Sequence, residues 1–375
     1  MTTESSARHP AVPPLAFYET EAANLDGPPG SLIDAVELEA PAGIRAWAVL
    51  YRSTGLDGAP IGVSGLIVSP VVSVGSGGGR RGSAGNGLPV LAWAHGTTGL
   101  ADACAPSRAG VAAEDVLTIV DLARQGFVVA ATDYEGLGTA GIHPYLVGPS
   151  EGRSVLDAIR AVQHFPEAGA GPRAAVLGIS QGGHAALWAA ELGPSYAPDL
   201  DLVGVVAASP PIDLQAVQRA VLVGPQPSEF SWLEALLAVR AWHEVYGVSI
   251  AGLVTDEGRA IMEALGETCP WELASPVEHP ILDLEIPEWQ ALLVANSPGH
   301  AAAAVPILVV AAESDEQVPA STIGPGVDRL RAAGSTVQLW WIAGTHVSTL
   351  TDPAAAAASL AWIGDRFAGR DTADG

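Results

Sequence analysis

Lysine is absent from this chain. All 17 basic residues are arginine, set against 41 aspartates and glutamates, and the formal net charge is −24. So acidic a surface repels nucleic acid and anionic membrane faces, and neither is expected as a partner. The charge reads instead as a solvated shell that keeps the chain soluble. Cysteine is nearly absent, with Cys104 and Cys269 the two present. Two thiols cannot build a disulfide framework, though they can make one bridge. Neither has a C-x-x-C neighbour, and His143, His164 and His184 have no companions at ligand spacing, so no metal site is visible. Long apolar runs are missing as well. The most apolar window, 301–312, is too short to span a bilayer and holds Pro306, so it reads as a core strand. Stable membrane insertion is not expected; transient contact with a lipid interface is compatible with the sequence. The first residues, MTTESSARHPAVPPLAFYET, lack a basic segment followed by an apolar run. No secretory signal is visible there, and a cytoplasmic location is the default expectation, replaced by secretion should a precursor segment precede this start.

What is present is ample apolar material, 49% of 375 residues. That suffices for one catalytic domain with an insertion, or for two domains. Residues 1–14 read as a polar, Pro-rich tail. Residues 44–69 hold two β-rich runs, RAWAVLYRS and IGVSGLIVS, joined through Gly55 and Asp57-Gly58, the pattern of a hairpin. The following stretch, 72–87, is VSVGSGGGRRGSAGNG; it cannot bury enough surface to order itself and reads as a flexible loop.

From residue 88 onward, buried strands alternate with helices. Strands are expected at 88–94, 126–134, 173–179, 202–209, 306–314 and 337–344, with helices at 116–125, 153–165, 182–192 and 327–333. Continuous apolar strands in such alternation mean a parallel sheet covered on both faces. The expected class is α/β, and the initial meander followed by βαβ units fits the α/β-hydrolase fold: a mostly parallel central sheet flanked by helices. The alternation breaks between about 212 and 303, where helical patterning takes over. The expected organisation is a catalytic body from 1–211 and 304–375, with a helical cap at 212–303 inserted after the sixth core strand. In 231–246, Trp232, Leu236, Val239 and His243 recur at helical steps, widened by Leu233, Leu237 and Trp242. That face either packs the cap on itself or forms an acyl-binding wall.

Serine is a poor nucleophile at neutral pH and needs a base whose tautomer is fixed by a third group. Gly178-Ile179-Ser180-Gln181-Gly182 matches G-x-S-x-G, and so does Gly148-Pro149-Ser150-Glu151-Gly152. Context separates them. Ser180 follows a buried strand and opens a helix, the strained turn that lifts a hydroxyl above a sheet. Ser150 follows a proline-bearing loop and reads as a helix N-cap. In this fold the acid and then the base come later in the chain. His346 alone among nine histidines follows the last strand. Glu313, Asp315 and Glu316 all follow the strand near Ala312; Asp315 is favoured, with Glu313 next. Charge developing on the substrate oxygen needs fixed N–H donors, expected from the backbones of Gln181 and Thr97, the latter in the loop His95-Gly96-Thr97-Thr98-Gly99. His95 and Asp133 read as structural residues.

Taken together, HGTTG, DACAPS, DYEGLGTAGIHPYLVG, GISQGGHAALWAAELG, DEQVP and GTH resemble the secretory lipase family of α/β-hydrolases, which spans the fungal lipase A type and actinobacterial members. The similarity runs from about Pro14 to the end. It implies hydrolysis of lipid or other carboxylic esters, no cofactor, a small-molecule ester as substrate, and a helical cap over the acyl site. It places the nucleophile at Ser180, the acid at Asp315 and the base at His346. It also implies a bridge between Cys104 and Cys269. The chain departs from secreted members in its start. A peptidase or acyltransferase on the same fold would use the same three residues, and a non-catalytic binding module is the rival of a different class.

Overall fold

The computed structural model describes residues 9–19, 24–71, 87–111, 117–222, 229–273, 281 and 285–370. The Gly/Ser-rich loop, apart from Gly87, and the first eight residues of the expected tail lie outside them. The rest of that tail is tied down: Pro10 O accepts a hydrogen bond of 2.8 Å from Glu39 N.

The sheet opens as an antiparallel meander. β1 (Leu32–Leu38), β2 (Ile44–Thr54) and β3 (Pro60–Pro70) pair in turn, β2 and β3 in unbroken register from Ile44↔Pro70 to Thr54↔Pro60. β1 has no counterpart in the sequence reading. It is an edge strand in which Leu38 alone is buried, so it lacks the apolar run that marks the others. β4 (Leu88–Ala94), β5 (Val128–Thr132), β6 (Ala170–Ile179), β7 (Asp201–Ala208), β8 (Ile307–Ala312) and β9 (Val337–Ile342) complete a nine-stranded sheet in the order β1-β2-β3-β5-β4-β6-β7-β8-β9. β5 meets β3 antiparallel; every later pairing is parallel. β4 lies between β5 and β6, so the chain reverses its direction of travel across the sheet there. Crevices at the carboxyl ends of strands beside such a switch point are where α/β sheets bind ligands.

Helices α1 (Leu117–Arg124), α2 (Gly148–Gln163) and α3 (Gln181–Tyr196) follow β4, β5 and β6. Between β7 and β8 come α4 (Leu214–Leu222), α5 (Glu229–Tyr246), α6 (Asp256–Ala264) and α7 (Pro287–Asn296). With β1 included, this inserted segment follows the seventh strand of the sheet, not the sixth. After β8 and β9 come α8 (Ala320–Ala332), then α9 (Ser348–Thr351) and α10 (Pro353–Phe367).

The continuous apolar strands explain the layering. Successive side chains point to opposite faces. In β4, Val90, Ala92 and Ala94 join one core with Val155 and Ile159 of α2 and Val327 of α8. Leu91 and Trp93 join the other, with Ile119 of α1 and Trp362 of α10. Both faces are buried, so neither set of positions can be polar.

The inserted helices have an apolar cluster of their own. Leu233, Leu236, Leu237 and Trp242 of α5 meet Met262 and Trp289, and the cluster continues into Leu100, Tyr145 and Val147 of the sheet body. The Trp242 and Trp289 rings lie 4.6 Å apart, and Trp242 Nε1 donates to Tyr145 O at 2.9 Å. A disulfide adds a covalent link. Cys104, after β4, is bonded to Cys269 of the inserted segment, with Cα atoms 5.6 Å apart.

Candidate active site

Ser180 sits between the end of β6 and the start of α3 with φ 55° and ψ −121°. A non-glycine residue pays for that conformation in strain, which marks a functional turn. The turn closes only because its neighbours are glycines. A Cβ on Gly182 would lie 1.9 Å from Ala94 O, and one on Gly178 would lie 2.1 Å from Gly182 O. Ser180 N donates to Ala208 O at 2.9 Å, and Ser180 O accepts from His184 N at 3.0 Å, so the backbone is held on both sides.

The end of β7 ties Ser180 and His346 to neighbouring residues of one strand end. Ala208 takes the Ser180 N–H, and the next residue, Ser209, donates through Oγ to His346 O at 2.9 Å. His346 Nδ1 lies 2.9 Å from both carboxylate oxygens of Asp315. Asp315 Oδ1 is itself fixed by Gln317 N at 2.9 Å and Val318 N at 2.7 Å. Of the three carboxylates that spacing allowed, Asp315 is the one that meets the ring. Glu316 instead accepts from His346 N, and Glu313 lies exposed. Burial pulls the His346 pKa down. The hydrogen bond and charge of Asp315, with Glu234 and Glu316, outweigh it, and the net shift is upward. Its other nitrogen, Nε2, is buried and without a hydrogen-bond partner among the described residues.

The loop after β4 crosses directly over Gly182, since His95 O would lie 2.7 Å from a Cβ there. This brings Thr97 alongside the first turn of α3. Gln181 opens that helix, so its N–H belongs to the first turn, whose amides have no intrahelical acceptor. Thr97 Oγ1 is 2.9 Å from Tyr145 OH. His95 is held neutral by burial, which pushes it down to about 4, and it accepts Tyr134 OH at its carbonyl. Asp133 takes the hydroxyls of Ser64 and Ser107 and the Ser107 amide, a loop-holding role.

Ser150 corrects the sequence reading. α2 begins at Gly148, earlier than the apolar periodicity indicated, and its N-cap is Val147. Ser150 therefore lies inside the first turn, where its Oγ donates to Glu135 Oε2. Gly148 made the early start hard to see: it is there because the Trp188 indole occupies the place of a Cβ.

Two residues that sequence reasoning passed over matter here. Glu151, inside the second G-x-S-x-G match, is fully buried. Its carboxylate accepts from Gln181 Nε2 at 2.8 Å and Leu146 N at 3.0 Å and meets His184 Nδ1 at 2.7 Å. It thereby fixes the side chain next to Ser180. Glu234 comes from α5 and, with Ser180, Gln181, Tyr145, Ala238 and Trp242, lines a cavity of about 90 Å³. The one signal for it was a lone acid inside the apolar run of α5. The expected wall residues Leu236 and Leu237 do not line this cavity. They are wholly buried in the helical cluster, because α5 turns the Ser231, Glu234, Ala235, Ala238 and Trp242 face toward Ser180. Among the described residues no group of three or more His, Cys, Asp or Glu could hold a metal ion, and no helix is long and apolar enough to cross a membrane.

A sheet of this order, with a serine at a strained strand–helix elbow and an Asp–His pair beyond later strands, defines an α/β-hydrolase. Comparison with known proteins narrows the class. The family model of secretory lipases matches residues 106–271. A Mycobacterium tuberculosis protein named a probable inactive lipase is 28% identical, over 96% of this chain and 83% of its own length. A secreted triacylglycerol lipase of Malassezia globosa is 32% identical over 50% of this chain, which spans 41% of that relative. The crystal structure of Candida antarctica lipase A in its closed state superposes with a TM-score of 0.76 at 19% identity, covering 97% of this chain and 89% of that one. The chain is similar to secretory lipases over residues 106–271, has the α/β-hydrolase fold, and is by class a carboxylic ester hydrolase.

Proposed function

We propose that the protein cleaves carboxylic esters with short acyl chains through an acyl-enzyme on Ser180. The observation that carries this reading is the Asp315–His346 pair, whose Nε2 is buried and unpartnered among the described residues and which the end of β7 ties to the strained Ser180. His346 Nε2 takes the Ser180 proton as Oγ bonds to the ester carbonyl carbon. The negative charge on the carbonyl oxygen is met by the N–H groups of Thr97 and Gln181. The proton then passes from His346 to the departing alkoxide. A water, deprotonated by the same nitrogen, attacks the acyl carbon, releases the carboxylic acid and restores Ser180. Asp315 keeps the proton on Nδ1 throughout. No cofactor enters any step.

The acyl group is assigned to the cavity beside Ser180, and the helical segment 212–303 is read as the cap that roofs it. About 90 Å³ is less than the roughly 150 Å³ of an engineered apolar cavity that admits benzene, which supports short acyl chains over long ones. The name "inactive" belongs to the mycobacterial relative; this chain carries all three residue types in the required order. The Cys104–Cys269 bridge supports an oxidising compartment, and with the secretory family it supports export in place of the default cytoplasmic expectation.

The test is a p-nitrophenyl ester series from acetate to palmitate, run beside fluorophosphonate labelling of wild type and Ser180→Ala. Turnover that peaks at short chains, with labelling confined to wild type, is expected. Equal labelling of both proteins, or turnover surviving in Ser180→Ala, refutes the assignment.

A further inference from the structure

Glu234 stands out in the cavity. Its neighbours there are largely apolar, among them Leu214, Val217, Ala235, Ala238 and Trp289, yet it is a carboxyl beside the serine. Thr97 stabilises its charged form, and Thr97 Oγ1 lies 2.9 Å from Tyr145 OH. The charged groups that face it are His346 and Asp315, with the Tyr145 phenol beside them. No arginine faces it among the described residues.

A carboxylate has about four acceptor positions. Among the described residues Thr97 is the one donor that stabilises the Glu234 charge, so most of that capacity is unfilled. Burial pushes Glu234 up to about 7. Near neutral pH it is therefore found both as carboxylate and as acid. A hydroxyl satisfies either form, because it can donate to the carboxylate and can both donate to and accept from the acid. An ammonium group suits the charged form alone.

We propose that Glu234 is a specificity-determining residue of this site, and that it selects acyl groups bearing a hydroxyl close to the scissile carbonyl. The placement follows from the cavity lining: Glu234 shares it with Ser180 and Gln181, so the donor it accepts must sit close to the reacting carbon. A plain acyl chain leaves most of the carboxyl's acceptor capacity unfilled, whereas a hydroxyacyl chain fills part of it. Sites built to hydrogen-bond a substrate hydroxyl discriminate against analogues lacking it more strongly than apolar pockets sense a methylene.

This inference rests on the hydrolase reading above, and one experiment separates the two. The kcat/KM values of p-nitrophenyl butyrate and of its 2-hydroxy and 3-hydroxy analogues are measured at pH 7 for wild type and Glu234→Leu, with background hydrolysis subtracted. Wild type is expected to prefer one hydroxy ester by about tenfold or more, the worth of one hydrogen bond to a charged group. In Glu234→Leu the ratio falls to about one. Because each ratio is taken within one protein, a general loss of turnover in the variant cancels. A wild-type ratio at or below one overturns the inference without any variant, and a preference that survives in Glu234→Leu overturns it as well. A wild-type chain that hydrolyses none of the esters and takes no fluorophosphonate at Ser180 overturns the hydrolase reading and this inference together.

Discussion

The Cys104–Cys269 bridge closes a loop of sequence separation 165 that runs from beside the oxyanion loop to the inserted helices. In the chain-entropy model a closure of that length removes about 17 cal/mol/K from the unfolded ensemble, or about 5 kcal/mol at 25 °C, an upper figure within a measured range of about 0–5 kcal/mol. Replacing both cysteines with alanine deletes little else. Both side chains are buried at 4% and 2% exposure within a small cluster of Ala101, Ala105 and Leu137. For 375 residues the unfolding entropy is about 0.8 kcal/mol/K, so 5 kcal/mol lowers the melting midpoint by about 6 °C. The assay is a calorimetric melt of the Cys104→Ala/Cys269→Ala protein beside wild type, with free thiols counted in the denatured wild type beforehand. Excess reductant should bring wild type down to the variant. The bridge also touches the site, since a Cβ on Gly99 would lie 2.8 Å from Cys104 Sγ. Ester turnover should therefore fall before the sheet unfolds as reduced protein is warmed. Wild type that carries no free thiol yet melts within about 1 °C of the double variant would refute the reasoning.

His346 is shifted above its ordinary value of 6.5, so kcat/KM should rise with pH along a limb whose midpoint lies above 6.5. Because the Glu234 charge is one cause of that shift, Glu234→Gln should move the limb to lower pH; an unmoved limb would show that Glu234 does not sense the imidazole. The raised histidine also stabilises the fold at acid pH, a contribution lost as pH climbs through its folded value. Glu151→Gln should lower kcat while leaving KM for acetate esters nearly constant, because the carboxylate orients Gln181 and His184 and lines no part of the cavity; a pure KM effect in steady-state assays would contradict this. Ser150→Ala should keep most activity and lose about 1 kcal/mol of stability with its bond to Glu135, measurable by urea titration. Ala238→Leu should fill the cavity and cost butyrate esters more than acetate esters, by about fourfold for each methylene displaced, at ~0.8 kcal/mol each; an unchanged chain-length slope would place the acyl group elsewhere.

Much of this molecule was legible before any coordinates. The buried strands announced themselves because both faces of a parallel sheet exclude polar residues, and β4 falls at 88–94 as read. Ser180 was separable from Ser150 because a buried strand running into a helix is a local pattern. His346 was legible because the order of residues along this fold is fixed by its topology. Edge strand β1 escaped, since Leu38 alone is buried and Asp34 and Glu37 interrupt its apolar run. The start of α2 escaped because Gly148 and Pro149 signal a turn locally, while the Trp188 indole that requires a glycine comes from another helix. The choice of Asp315 over Glu313 and Glu316 could be favoured from spacing, but which carboxylate reaches the ring depends on the path of a turn. The sequence by itself determined the class of fold and singled out Ser180 and His346 as candidates, because those rest on periodicity and chain order. The roles of Glu151 and Glu234 were decided by tertiary structure alone. Glu151 meets Gln181 and His184, and Glu234 lines the cavity with Ser180, each from a helix separated from Ser180 in the chain, and no local pattern records which face of a helix will meet a site built from other segments.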